Sequence, residues 1–400
     1  MAAYLPYGLY WSTPFAKWQG SLAHLNPLRL VAETARSALA AREMPLADID
    51  LGILGLTNPY PGSFYGLPYV TGLIGIDGVA GPTVQQACAT SVRALQMAAQ
   101  EIGGGTAQCA LLLMADKQSN GPTVMYPDPT GSGGYGVVER WVPDNMGRDP
   151  YAQNSMLQTG ENVAARYGIS TAEQHALKLH RHEQYQAAIA DDRAFQRRYM
   201  VDVPITDAAF KKQKGVLSAD EGIFPTTVEG LAKLKPVMEG GTVTFGGQTH
   251  PADGNAGAIV TTRERAKALS RDPAIEIELV SFGMSRADKG YMPAAPGPAA
   301  LRALQHAGLT IGQVDAVKTH NPFAVNDIAF ARDTGFAWEK MNNYGSSIIW
   351  GHPQAPTGLR GVIELVEELV LRGGGIGLFT GCAAGDTGLA TVVRVTDARR

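Results

Sequence analysis

The sequence predicts an α/β protein of two similar packed units with a distinct segment inserted in the first, and three observations point there. Short apolar runs at Asp50–Leu56 (DLGILGL) and Cys109–Met114 (CALLLM) have the length and unbroken hydrophobicity of buried strands in a mixed or parallel sheet. Between them, Cys88–Ile102 (CATSVRALQMAAQEI) repeats small and apolar residues at helical spacing, and Gly103, Gly104 and Gly105 end it. A similar order returns later: Val314–Lys318 (VDAVK) reads as a strand, Val362–Leu371 (VIELVEELVL) as a helix stopped by Gly373–Gly375, and IGLFTGCAAGDTGLATVV as two strands around a glycine turn. The likeness in plan suggests duplication, with an amino-terminal half over 1–265 and a carboxyl-terminal half over 266–400. The stretch at about 119–240 differs: it opens Gly/Pro-rich and continues into charged helical sequence, which reads as an inserted loop domain covering one face.

Composition narrows the function classes. The 400 residues suffice for two or more cored units, and 45% hydrophobic with 18% charged residues excludes disorder as a main feature. Lys and Arg number 34 against 37 Asp and Glu, with no long run of one sign, so no chain-wide field would recruit nucleic acid or an anionic membrane. The three cysteines, Cys88, Cys109 and Cys382, are too few and scattered for a disulfide framework. Cysteine and histidine also lack metal-ligand spacing, so no metal is expected. The amino terminus has no basic region followed by an apolar stretch, and nowhere do eighteen apolar residues run together. The expectation is a cytoplasmic protein without a membrane span.

Four residues carry candidate chemistry. Cys88, in QQACATS, sits where a strand or loop enters a helix; the helix dipole and free N–H groups there favour thiolate, the nucleophilic form. Taken alone it reads equally as a small buried hydrophobe. His352 lies between Gly351 and Pro353, which fix the backbone of a turn and hold an imidazole as a general base requires. His320, in THNPFAVND, follows a predicted strand and would project from its end. Each histidine alone also fits an ordinary surface residue. Cys382, in FTGCAAGDTG, occupies a glycine-flanked turn, where a thiolate can serve a carbon acid as base and backbone N–H groups can hold an oxyanion. Together the four form a consistent set for thioester chemistry, although spacing does not say that they meet in space.

Nearly the whole chain carries further motifs in a fixed order. STPFAKWQGSLAHL, QQACATSVRALQMAAQEIGGG, NSMLQTGENVAARYGISTAEQ, SADEGIFPTTVEGLAKLKPVM and GTVTFGGQTHPADGNAGAIV are followed by GPAALRALQHAGLTIGQVDAV, HNPFAVND, GHPQAPTG and GCAAGDTGLA. This series resembles the thiolase family. The resemblance implies a five-layered αβαβα fold with a loop domain over the coenzyme A channel. It implies that Cys88 accepts the acyl group, that His352 of the GHP motif activates it, and that Cys382 moves a proton to and from the acetyl carbon. His320 stands where many members have the Asn of an NEAF motif and looks like the histidine of sterol-carrier-protein-type thiolases, which with His352 would polarise the thioester oxygen. Backbone N–H groups of Cys88 and Ala384 would form the acyl oxyanion hole, and Met156, Phe245, Thr249 and Phe323 would line the substrate and coenzyme A path. The implied reaction is reversible cleavage of a 3-oxoacyl-CoA by coenzyme A, a substrate rather than a bound cofactor, in a homodimer or tetramer.

Departures from the family pattern lie mostly on the coenzyme A side. The GGxExM stretch is replaced by MADKQSN, and the DExxR arrangement by Asp220-Glu221-Gly222-Ile223-Phe224, which lacks the arginine. Coenzyme A contacts are therefore expected elsewhere, as at Lys211, Lys212 and Lys214, and a small accessory protein is a further possible supplier. Phe245 and Thr249 stand where small residues and Ser are usual, and Ala384 and Asp386 alter the glycine-rich turn. Two rival readings remain: a decarboxylating ketoacyl-synthase-like enzyme, which would need no Cys382 base, and a thiolase-like acyl-CoA-binding subunit that works with a partner.

Overall fold

A computed structural model describes residues 2–400. Among the described residues eleven strands are joined by hydrogen bonds, nine along one path and two more pairing off it, and they carry the same arrangement twice. In the first half Leu51–Gly55 runs parallel to Cys109–Lys117, which pairs antiparallel with Ala252–Thr261, which pairs antiparallel with Tyr10–Ser12. In the second half Ala316–His320 runs parallel to Gly374–Ala383, then Thr387–Asp397 and Ile275–Arg286 follow antiparallel. Order and sense agree strand for strand, so the likeness read in the sequence is a likeness of topology. The strand Ala3–Leu5 joins the halves, pairing with Ile275–Arg286 on one side and through Tyr4 with Thr261 on the other.

Two helices, Thr90–Gly104 and Ala355–Arg372, occupy equivalent places in the repeat and pack against each other between the sheets. Pro27–Ala41 covers the outer face of the first sheet, and Pro296–His306 that of the second. The layers therefore alternate helix, sheet, helix, sheet, helix, as expected.

The helix Ala355–Arg372 is enclosed on all sides as far as Leu369, including its charged residues Arg360, Glu364, Glu367 and Glu368. Buried charge survives only when paired and hydrogen-bonded, and here it is. Arg360 grips Asp220 with two nitrogens at 2.6 and 2.8 Å, Lys318 meets Glu364 at 2.6 Å, and Glu367 accepts from Tyr10 at 2.7 Å and Arg198 at 2.6 Å.

Boundaries shift from the sequence reading in ways that matter for the site. The first central helix begins at Thr90, two residues after the predicted start, because the Thr90 hydroxyl turns back to Ala87 O and accepts from Gln86 N–H. It runs through Gly103 and Gly104 and ends at Gly105, whose φ of +76° suits only a residue without a side chain. The second central helix begins at Ala355 rather than Val362, with Pro356 in its first turn. The predicted strand at Val314–Lys318 lies two residues further on, at Ala316–His320, which makes His320 its last residue.

Within the inserted segment, Met156–Tyr167 and the capping-box helix Thr171–Arg193 accompany two small hairpins, Thr123–Tyr126 with Val137–Arg140 and Val203–Thr206 with Gln213–Leu217. Among the described residues no helix is long and apolar enough to cross a membrane.

Candidate active site

Four backbone elements converge where the two central helices begin. Cys88 lies in the turn ahead of Thr90–Gly104, following Ala87, whose φ is +44°. His352 lies in the turn between the short helix Ser347–Trp350 and Ala355–Arg372. His320 ends one strand, and Cys382 lies near the end of its parallel neighbour. Residue 381, paired with His320, must be glycine: a Cβ there would come within 2.8 Å of the His320 Cβ. Gly351 has φ +92°, a conformation that lets the histidine-bearing turn fold back.

The side chains meet. His352 Nε2 lies 3.1 Å from Cys88 Sγ, and its Nδ1 lies 2.7 Å from Thr357 Oγ1. The rings of His320 and His352 stack at 4.0 Å between centroids, 30° apart. Asn326 Nδ2 donates to Cys382 Sγ at 3.3 Å. Backbone N–H groups of Cys88 and Ala384 face the Cys88 sulfur.

Protonation follows from burial. Burial pushes the Cys88 thiol up to about 12, against the lowering by those two N–H groups, and the Cys382 thiol is raised further by burial and by the neighbouring Cys88. Burial also lowers His352 to about 3, and burial together with His352 drives His320 well below its usual value. The resting pair is thus neutral thiol and neutral imidazole. This corrects the expectation of a thiolate at Cys88. The helix dipole is outweighed by desolvation, and the cysteine sits ahead of the helix rather than in its first turn. In the neutral ring, an Nε2 that accepts the Cys88 S–H leaves Nδ1–H to donate to Thr357.

Donor atoms of Cys88, His320 and His352 lie within 4.8 Å of one another. Separation along the chain, the ground for expecting no metal, therefore does not keep these groups apart. Their arrangement serves proton transfer directly, since the Cys88 thiol already engages His352 Nε2.

The candidates for the coenzyme A path divide. Phe323 is buried, and with the partly buried Met156 it joins the apolar cluster that contains Cys382. Thr249 donates its hydroxyl to Ser347 O at 2.5 Å, so that group is engaged within the protein. Phe245 is 72% exposed and stands apart from the cluster. Asp220 is a framework residue: besides Arg360 it accepts from Phe15 N–H, Tyr185 and Gln196. Glu221 holds Ser21. Lys211, Lys212 and Lys214 are exposed around one end of the hairpin Val203–Thr206 and Gln213–Leu217.

Several residues of the site escaped the sequence reading. Thr357 and Asn326 lie within the quoted motifs GHPQAPTG and HNPFAVND, and the rule that a base or nucleophile needs an orienting neighbour would have flagged them. Asp116, in the departing MADKQSN stretch, accepts from Thr57 N–H, Thr57 Oγ1, Asn58 N–H and Ala355 N–H, at 2.9, 2.8, 3.2 and 2.8 Å. It thereby ties the start of the second central helix, three residues beyond His352, to the first sheet. Burial raises its carboxyl to about 7.

The profile for "Thiolase, N-terminal domain" matches residues 11–264 and that for "Thiolase, C-terminal domain" residues 274–395. The chain is 30% identical over 392 residues to the acetyl-CoA acetyltransferase of Escherichia coli (strain K12), covering 95% of this chain and 96% of that protein. It is 29% identical over 397 residues to the 3-ketoacyl-CoA thiolase of Bacillus subtilis (strain 168), covering 95% and 96%. Human mitochondrial 3-ketoacyl-CoA thiolase in complex with CoA superposes with a TM-score of 0.88 at 27% identity, over 99% of this chain and 98% of that one.

Proposed function

Since this chain belongs to the thiolase family, we propose that it cleaves a 3-oxoacyl-CoA with coenzyme A to acetyl-CoA and a shortened acyl-CoA, or runs the reverse condensation, through a thioester on Cys88. The observation that carries the reading is the approach of Cys88 Sγ to His352 Nε2 at 3.1 Å, with His320 and Cys382 at the same site. In the cleavage direction His352 takes the Cys88 proton as the sulfur attacks the 3-oxo carbon, and the N–H groups of Cys88 and Ala384 receive the oxyanion. The carbon–carbon bond breaks, and its electron pair becomes the enolate of acetyl-CoA, whose oxygen faces His320 and His352. Cys382 delivers its proton to the enolate carbon. A raised thiol suits that step, because the group must be protonated when the carbanion forms. Coenzyme A then gives its thiol proton to Cys382, its sulfur takes the acyl group from Cys88, and the released Cys88 thiolate recovers the proton held on His352.

Around this chemistry we take 1–265 and 266–400 as the two halves, with the segment at about 119–240 over the coenzyme A channel. Met156 and Phe323 serve the acyl or pantetheine end, and coenzyme A is a substrate. Three free cysteines suit a reducing, cytoplasmic setting, and assembly is as a homodimer or tetramer. The test is coenzyme-A-dependent loss of a 3-oxoacyl-CoA with stoichiometric appearance of acetyl-CoA. The wild-type chain is expected to give both and Cys88→Ala neither; turnover retained in Cys88→Ala would overturn the reading.

A further inference from the structure

His320 Nε2 is buried and has no hydrogen-bond partner among the described residues. Its other nitrogen, Nδ1, lies 2.9 Å from Ser347 Oγ. A neutral imidazole has one N–H, so what Ser347 does with its single hydroxyl proton decides whether Nε2 presents a proton or a lone pair.

The neighbours of Ser347 leave two choices. Asn321 N–H donates to Ser347 Oγ at 3.1 Å, and Asn321 Oδ1 lies 3.1 Å from the same oxygen, ready to accept. The orientation of the Asn321 amide is fixed, because its Nδ2 donates to Asp327 Oδ2 at 2.7 Å and its Oδ1 also takes Ile348 N–H at 3.2 Å. Asp327 is itself anchored by the fully buried Arg181 at 3.0 Å and by Asn342. The hydroxyl proton therefore goes either to Asn321 Oδ1, leaving His320 as Nδ1–H with a bare Nε2, or to His320 Nδ1, leaving Nε2–H. If the proton moves to Nδ1, Asn321 Oδ1 still keeps Ile348 N–H, so the move strands no buried group.

We propose that Ser347 is a positioning residue for carbon–carbon bond formation and cleavage: by donating to His320 Nδ1 it holds His320 in the tautomer whose Nε2–H faces the enolate oxygen of acetyl-CoA. The inference rests on the thiolase reading above and extends it to a residue that acts through His320. An enolate oxygen at a bare Nε2 would meet a lone pair; at Nε2–H it gains a donor within a dry site, where one such donor is worth about 100-fold or more in rate. The acyl oxyanion at the backbone N–H groups of Cys88 and Ala384 does not draw on this relay. Ser347 thus separates two events: enolate formation depends on it, and acylation of Cys88 by exchange with the thioester of acetyl-CoA, which forms no enolate, does not.

The experiment uses the full-length protein and reads the two steps apart. Deuterium uptake from D2O into the methyl group of acetyl-CoA measures enolate formation: acylation of Cys88 by one acetyl-CoA releases coenzyme A carrying the Cys382 proton, the Cys382 thiolate so formed takes the methyl proton of a second acetyl-CoA, the C–H electron pair forms the enolate, and the exchanged Cys382 thiol returns deuterium. Thioester formation on Cys88 from acetyl-CoA, an exchange of one thiol for another that makes no enolate, followed by intact mass, measures acylation. Ser347→Ala is expected to slow deuterium uptake about 10- to 100-fold with acylation within a few-fold of wild type, and Ser347→Thr, which keeps the hydroxyl, to recover most of the loss. Equal uptake in wild type and a folded Ser347→Ala would overturn the proposal, as would equal losses in both steps. A wild-type protein that neither exchanges nor acylates would overturn the thiolase reading instead. Should Ser347→Ala not fold, 15N spectra of the histidines in Cys88→Ala with acetyl-CoA bound decide the matter. A protonated Nε2 on His320, identified by its loss in His320→Asn, supports the proposal, and a protonated Nδ1 with a bare Nε2 refutes it.

Discussion

Cys88 and His352 stand 264 residues apart in the chain and 3.1 Å apart in the fold, as a neutral thiol facing a neutral imidazole. Neither group is reactive alone, since burial keeps the sulfur protonated and the ring uncharged. Both charges appear together, when the proton crosses as substrate is attacked. Reactivity of Cys88 is therefore conditional on the orientation of His352, which Thr357 supplies.

Thr357→Val removes the acceptor for His352 Nδ1–H while keeping the shape of the side chain. Acylation of Cys88 should slow by about 10- to 100-fold, and Thr357→Ser should restore most of it. Single-turnover acylation rates check this; an unchanged rate in Thr357→Val would mean that the turn alone orients the ring.

Cys382→Ser should leave acylation of Cys88 by an acyl-CoA measurable and suppress acetyl-CoA release from a 3-oxoacyl-CoA by about 100-fold or more. A hydroxyl is a far poorer proton shuttle than a thiol for a carbon acid. Full turnover in this variant would contradict the assigned role of Cys382.

Stability carries its own signature at the Arg360–Asp220 pair. Both side chains are fully buried, so Asp220→Ala strips the two terminal nitrogens of the guanidinium of their partner inside the protein and leaves it only Glu364, at 3.1 Å from Nε. The expected loss is about 3–5 kcal/mol, read from the urea midpoint, and Asp220→Leu with Arg360→Met together should recover much of it. A loss below about 1 kcal/mol for the single variant would contradict the account of the central layer.

Stability should also fall with acid in a defined window. His250 is lowered to about 4 by burial and by Lys178, and His352 to about 3 by burial. Below the ordinary histidine value of about 6.5 the unfolded chain binds protons that the folded protein refuses, so unfolding free energy declines as pH drops from about 6.5 toward 4 and is flat in these groups above 6.5. Each such histidine contributes at most about 1.4 kcal/mol per pH unit. His250→Leu should flatten that slope by up to this amount, since His250 Nε2 has no hydrogen-bond partner among the described residues to lose. A slope unchanged by the replacement would show that His250 does not stay neutral in the folded protein.

The fold and the four candidate side chains of the site were legible because they rest on local patterns. The apolar run at Cys109–Met114, the glycine stops at Gly105 and Gly373, and the turns around His352 and Cys382 each carry their signal within a few residues. What failed depends on distant chain. The thiolate expected at Cys88 was argued from its own helix, whereas its protonation is set by burial among elements from both halves. The partners of Asp220 and Glu221, namely Arg360 and Ser21, lie far off in the chain and left no local signal. Ser347 gave no signal, because a serine in NNYGSSIIW matters only once a parallel strand pairing sets His320 beside Gly381 and the turn after Tyr344 brings the hydroxyl to Nδ1.

The central claim, a thioester on Cys88, is tested most directly by intact-mass spectrometry of the protein mixed with short, long and aromatic 3-oxoacyl-CoAs, with and without coenzyme A. The expected result is a mass gain equal to the shortened acyl group, located on Cys88, with one acetyl-CoA released per adduct and the adduct cleared by added coenzyme A. Turnover without any adduct, or an adduct that persists in Cys88→Ala, would contradict it.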